Sequence, residues 1–193
     1  MASRGEFDTG DRISRIAGIL LVARGDEREE PHDVPQLERL RILLASFGAG
    51  GCDDLYVALG SRVVAAPTDS STTFYLPEWY NGLDATVSAA LAHAAGLHDI
   101  AGVVLQTVDS PDVGDVGVAR LLETAAGRSD VVVRVTNCEH WAQPVYIGAD
   151  LLGDADALLT ASGGAIRYLG DHAGDVVTVD CSDLAGPATE ALL

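Results

Sequence analysis

The chain has 193 residues, 48% of them hydrophobic, and a formal net charge of −17. That size and apolar content support one domain, or one with a small appendage, and exclude a chain disordered throughout. The charge excludes nucleic-acid binding by phosphate neutralisation. All 12 basic residues are arginine, so no mechanism that needs a lysine is available, and a phosphorylated ligand requires a metal or a local arginine cluster. Residues 1–14, polar and acidic, read as a flexible arm ahead of a domain over 15–193. No apolar run approaches the roughly 20 residues of a membrane span, and the N-terminus lacks a signal-peptide pattern. The expectation is a cytoplasmic protein with no membrane partner. Cys52, Cys138 and Cys181 form no CxxC pair and read as buried reduced thiols.

In chain order, "IAGILLVA" (16–23) is a continuous apolar run, the pattern of a strand covered on both faces. The charged loop "RGDEREEPHD" (24–33) follows. "VPQLERLRILLASFG" (34–48) places Leu37, Leu40, Leu44 and Phe47 at helical spacing, and Gly48 stops it. "DLYVALG" (54–60) is a second buried strand, and "FYLP" (74–77) a short third. Residues 81–96 read as a helix with Leu83, Val87, Ala90, Leu91 and Ala94 inside and Gly96 as cap. "IAGVVLQTVD" (100–109) is a strand. Residues 115–126 form the next helix, with Val116, Ala119 and Leu122 facing in. Strands are expected at 130–136, 143–148 and 174–180, a short helix at 163–173, and a turn or helix at 187–193.

Apolar strands alternating with helices predict a mostly parallel sheet with helices on both faces. In such sheets ligands sit beyond the carboxyl ends of the strands, at the point where strand order reverses. Asp109 follows one such strand and the loop after Ala23 follows another. These two segments are the candidate site, and they are predicted to meet at one edge of the sheet.

The order of features resembles the MobA-like nucleotidyltransferases, which attach GMP or CMP to the molybdenum pterin cofactor. "WYNGLDATVSAAL" (79–91) is similar to that family's W-x-x-G-M-x-x-S helix start. "TVDSPDVG" (107–114) is similar to its D-x-P strand end, and "WAQPVYIG" (141–148) to its G-H-P segment, with Gln143 where the family often has His. The resemblance spans most of the chain from about residue 16. It implies a single-domain, three-layer αβα Rossmann-like fold of the nucleotide-diphospho-sugar transferase type. It also implies Mg²⁺ as cofactor, GTP or CTP as donor and a molybdopterin-type phosphorylated acceptor. A homo-oligomer or a molybdoenzyme-maturation partner is the association it implies.

On this resemblance Asp109 holds the metal, which bridges the phosphates as pyrophosphate leaves. The competing reading is a turn acid that accepts backbone N–H bonds before Pro111. Asp183, or Asp180, supplies a second carboxylate, or is an ordinary turn acid. Arg28, with Arg24, grips the phosphates bidentately, and Ala23 and Gly25 belong to the same loop. The competing reading pairs each arginine with a neighbouring acid. Asn81, Gly82 and Ser88, at or near a helix start, face the nucleotide, or Asn81 is simply an N-cap. His140 beside Cys138 and Glu139 lacks the spacing of a zinc site. Ser88 and Ser110 lack a nucleophile elbow, which argues against serine-hydrolase chemistry.

The first loop departs from the family. Gly25 is its one glycine, the motif lysine is absent, and Asp26, Glu27, Glu29 and Glu30 surround two arginines. A carboxylate about 4 Å from a phosphate oxygen costs roughly 1 kcal/mol in water and about 4 at an effective dielectric of 20. The expectation is therefore weak NTP affinity and slow turnover. The alternative reading is a catalytically degraded member that serves as a nucleotide- or protein-binding regulatory module.

Overall fold

The computed structural model describes residues 15–22, 36–60, 66–110, 112–137, 140–153 and 176–184. Strand β1 (Arg15–Val22) is buried along nearly its whole length, with Ile19 and Leu21 on one face and Leu20 and Val22 on the other. Two buried faces are what a continuous apolar run provides. Helix α1 (Gln36–Gly50) lies on the Leu20 face and buries Leu40, Leu43, Leu44 and Phe47. Leu37 of the predicted inner face is half-buried, and Leu43, outside that face, is fully buried. The Phe47 ring crosses Gly18, where an added Cβ would stand 2.6 Å from the ring. That glycine lets helix and strand approach closely.

β2 (Asp54–Leu59) and β3 (Thr72–Tyr75) pair outward from β1, all parallel. A 3₁₀ turn (Pro77–Asn81) then leads to α2 (Leu83–Ala95). Sequence periodicity predicts one helix from residue 81. The break falls at Gly82, whose φ of 101° lies in the region that only glycine enters at no cost. α2 crosses to the opposite face and buries Val87, Ala90, Leu91 and Ala94 against Ile19, Leu21, Val103 and Leu105. At roughly 1.5–3 kcal/mol per fully buried large aliphatic side chain, these faces hold the helices to the sheet.

β4 (Ile100–Thr107) pairs parallel with β1 on the side away from β2. α3 (Gly114–Ala125) follows on the α1 face. Its buried residues are Gly117, Val118, Leu121 and Ala125. The predicted stripe is corrected here: Val116 is 48% exposed, and Ala119 and Leu122 are half-buried. "VGVARLL" offers two apolar stripes, and packing selects between them. A Cβ on Gly50 of α1 would stand 2.5 Å from Val118, so the two helices meet where one lacks a side chain.

β5 (Val132–Asn137) and β6 (His140–Gly148) pair antiparallel, and β6 inserts between β4 and β5. A short helix, α4 (Ala149–Leu152), and the edge strand β7 (Val176–Asp180) complete the described elements. The sheet order is β3-β2-β1-β4-β6-β5-β7, with β6 the one antiparallel strand among the described residues. α1 and α3 cover one face, α2 and α4 the other. The result is a three-layer αβα fold with a mostly parallel sheet. The predicted helix at 163–173 and the turn or helix at 187–193 lie outside the described residues.

Candidate functional site

Strand order reverses between β1 and β4, which pair with each other while their onward connections run to opposite sides. The crevice beyond their carboxyl ends is the usual ligand position in such a sheet. At that point the Val108 N–H donates to the Leu21 carbonyl at 3.0 Å. β1 and β4 thus end side by side, and Asp109 follows immediately, exposed. Among the described residues its carboxylate accepts no hydrogen bond and forms no ion pair.

The turn that presents Asp109 is held on several sides. Its own hydrogen bond runs from Ser110 N–H to the Thr107 carbonyl at 3.1 Å, and the Thr107 and Ser110 hydroxyl oxygens lie 2.8 Å apart. From β6, Gln143 Oε1 accepts the Thr107 N–H at 2.6 Å. Leu105 pairs with Val145, so Gln143 falls opposite Thr107 and its side chain extends the ladder by one bond. From α1, Arg39 donates through Nε to the Val108 carbonyl and through Nη2 to the Ser110 carbonyl, the latter at 2.6 Å. Ser46 of α1 donates to Asp112 at 3.2 Å, and the other Asp112 oxygen accepts from Gly114 N–H at 2.9 Å. Asp112 is therefore the acid that accepts a backbone N–H at the start of α3, and among the described residues Asp109 accepts none before Pro111.

Neither Arg39 nor the grip of Gln143 emerges from the sequence. Arg39 sits beside Leu40 on a helix with an apolar inner face, and that adjacency was the one signal the sequence offered. The partners of these side chains lie 36 to 71 residues away, beyond any local pattern.

The remaining predicted residues are distributed as follows. Ala23, Arg24, Gly25 and Arg28 lie outside the described residues, as does the predicted approach of the 24–28 loop to Asp109. The described end of β1, Val22, is adjacent to the Asp109 turn. Asn81 is exposed and ends the 3₁₀ turn, and Gly82 is the N-cap of α2 in its place. The first turn of α2 is closed by Thr86, which donates through N and Oγ1 to the Gly82 carbonyl at 3.1 and 2.9 Å. Ser88 is half-buried in the second turn of α2. Exposed Tyr80 and Tyr75 lie nearby, and the indole of Trp79 donates to the Tyr75 hydroxyl at 2.9 Å.

Asp180 ends β7 and Asp183 follows it, three strands from β4 and about 14 Å along the edge at ~4.8 Å per strand. Both Asp183 oxygens accept from Arg120 of α3, at 2.6 and 2.8 Å. That guanidinium holds the Asp183 carboxyl below its ordinary pKa. Asp180 accepts from Ser182 N–H and hydroxyl, which lowers its pKa likewise. No cluster of three or more metal-binding side chains occurs among the described residues. An open groove of about 760 Å³ lies between α1 and the 66–70 turn, lined by Leu37, Arg41, Leu44, Leu55, Pro67 and Asp69. Neither Asp109 nor Arg39 lines it.

This doubly wound αβα sheet with a carboxylate at its switch point matches the nucleotide-diphospho-sugar transferase fold. The family model of the MobA-like NTP transferase domain matches residues 30–176, and the chain belongs to that family. Among solved structures it is similar to Rv0371c from Mycobacterium tuberculosis H37Rv. That match has 18% identity and a TM-score of 0.63 and covers 86% of this chain and 88% of that one. A second structure of Rv0371c, in complex with manganese, matches at 19% identity and TM-score 0.61, over 86% and 89%. CMP:2-keto-3-deoxy-manno-octonic acid synthetase complexed with CTP matches at 10% identity and TM-score 0.64, over 86% and 90%. No curated protein sequence matches the chain.

Proposed function

We propose that the chain transfers a nucleoside monophosphate from GTP or CTP to a phosphorylated acceptor of the molybdopterin type, with Mg²⁺ as cofactor. The observation that carries this reading is the exposed Asp109 carboxylate at the β1–β4 switch point, unengaged among the described residues. Its donor chemistry fits the metal: Mg²⁺ takes oxygen ligands and is commonly held by one or two carboxylates together with substrate phosphates. A three-ligand protein cage is not required. When bound, the metal neutralises charge on the phosphates and on departing pyrophosphate.

In the reaction an acceptor phosphate oxygen attacks the α-phosphorus, and the bond to the bridging oxygen breaks with release of pyrophosphate. Asp109 would hold the metal at the strand tip. Arg24 and Arg28 would supply the guanidinium charge that pairs with the phosphates, and Ala23 and Gly25 belong to the same loop. The segment Asn81–Gly82 and the first turns of α2, including Ser88, face the base, since a helix N-terminus presents unsatisfied N–H groups. Asp183 would have to release Arg120 to act as a second metal ligand, so the proposal rests on Asp109. No part of it requires a membrane or nucleic-acid partner, and a cytoplasmic site of action belongs to the same proposal.

The test is pyrophosphate release with Mg²⁺, GTP or CTP and the pterin acceptor. Turnover that vanishes in Asp109→Ala supports the reading. A second reading, a non-catalytic module, is favoured by the four carboxylates around Arg24 and Arg28. It predicts no pyrophosphate release, and an unchanged melting temperature with Mg²⁺–NTP would extend it to loss of nucleotide binding.

A further inference from the structure

We infer that Arg39 is the positioning residue for Asp109, and that its guanidinium fork sets the carboxylate's geometry for a divalent cation. The inference rests on the transferase reading above. The two carbonyls that Arg39 engages belong to Val108 and Ser110, the residues on either side of Asp109. A planar fork that binds both fixes the path of the chain between them, and hence the direction in which the intervening side chain leaves. Arg39 itself is anchored: it is half-buried in the first turn of α1, next to Leu40, which is fully inside the core.

The competing account is that Arg39 merely braces a turn, or acts by its charge. Sign separates these. A positive charge a few ångströms from a cation site opposes cation binding, so on charge alone Arg39→Met should tighten the site. Arg39→Lys keeps the charge and loses the fork, so on charge alone it should change nothing. If geometry dominates, both variants weaken the site. Loss of a residue that orients a metal ligand commonly costs 10–100-fold in affinity.

The experiment titrates Mn²⁺ alone, by paramagnetic broadening or calorimetry, into the full chain, Asp109→Ala, Arg39→Met and Arg39→Lys. Amide hydrogen exchange is followed in parallel. Expected are weakening of Mn²⁺ binding by about tenfold or more in both Arg39 variants, and faster exchange at the Val108 and Ser110 amides with Val104 unchanged. In turnover, kcat should fall while KM for the NTP holds. If Arg39→Met fails to fold, Arg39→Lys carries the test. Unchanged or tighter Mn²⁺ binding in the Arg39 variants, with Asp109→Ala abolishing it, overturns the inference alone. Equal Mn²⁺ binding in the wild type and Asp109→Ala overturns the metal reading of the site, and the inference with it.

Discussion

The backbone N–H of Val108 donates to the carbonyl of Leu21 at 3.0 Å. This bond carries the pairing of β4 with β1 to the last buried residue and leaves Asp109 as the first exposed one. An exposed side chain with no partner among the described residues contributes little to folding, so Asp109→Ala should change stability by no more than about 0.5 kcal/mol. If Asp109 holds the metal, turnover should fall by about a hundredfold or more, since metal stabilisation of transition-state charge is worth several kcal/mol. Parallel melting curves and pyrophosphate-release rates check this. A loss of both stability and turnover would place Asp109 in a structural role.

The Arg120–Asp183 pair predicts acid sensitivity at the edge of the sheet. The Asp183 pKa is lowered by hydrogen bonding to Arg120. Its contribution is therefore fully present above the ordinary carboxylate pKa, about 3.9, and is lost as pH falls through the lowered value. Asp183→Asn should melt below the wild type at pH 5 to 7, and the difference should close below about pH 4. A gap that persists to pH 2 would show that the pair is not what the substitution removed. Asp180 titrates in the same window through its bonds to Ser182, so the variant will retain part of the acid slope.

Alkaline pH should act through Tyr146. The ring is fully buried, its hydroxyl donates to the Arg128 carbonyl at 2.7 Å, and burial pushes its pKa up to about 12. A raised folded-state pKa means the contribution is complete below the unfolded value, about 10, and disappears as pH rises through about 12. Tyr146→Phe should flatten the pH-dependence of denaturant midpoints across that window. At pH 7 it should cost about 1–3 kcal/mol, because the Arg128 carbonyl is left without its donor. Buried Cys52, also raised to about 12, leaves a residual slope that begins nearer pH 9.

Gly148 marks a close approach of two backbones. It joins β6 to α4, its N–H donates to the Val131 carbonyl at 2.9 Å, and an added Cβ would land on the Ser129 carbonyl group. Backbone cannot move aside as a flexible side chain does. Gly148→Ala should cost about 1–3 kcal/mol, or about 2–4 °C in Tm per kcal/mol for a chain of this size. Gly153→Ala is the control: nothing among the described residues lies within 4 Å of its added Cβ. Equal melting temperatures for the two variants would contradict the packing described.

What was legible in the sequence was set by local periodicity. Continuous apolar runs at 16–23 and 100–109 can be satisfied only by strands covered on both faces, and they became the two strands flanking the switch point. The spacing of Val87, Ala90, Leu91 and Ala94 fixed the buried face of α2, and the Asp109 tip followed from the strand before it. Tertiary structure decided the rest. Val118 rather than Val116 turned inward because Gly50 leaves room for it across the helix interface. β6 entered antiparallel between β4 and β5, bringing Gln143 to Thr107. Arg39 closed on the carbonyls flanking Asp109, and Arg120 took both oxygens of Asp183. Each of these joins residues 36 to 71 positions apart, and a periodicity that repeats every two or 3.6 residues contains no information about such distances. They are chosen by which surfaces fit once the layers have packed.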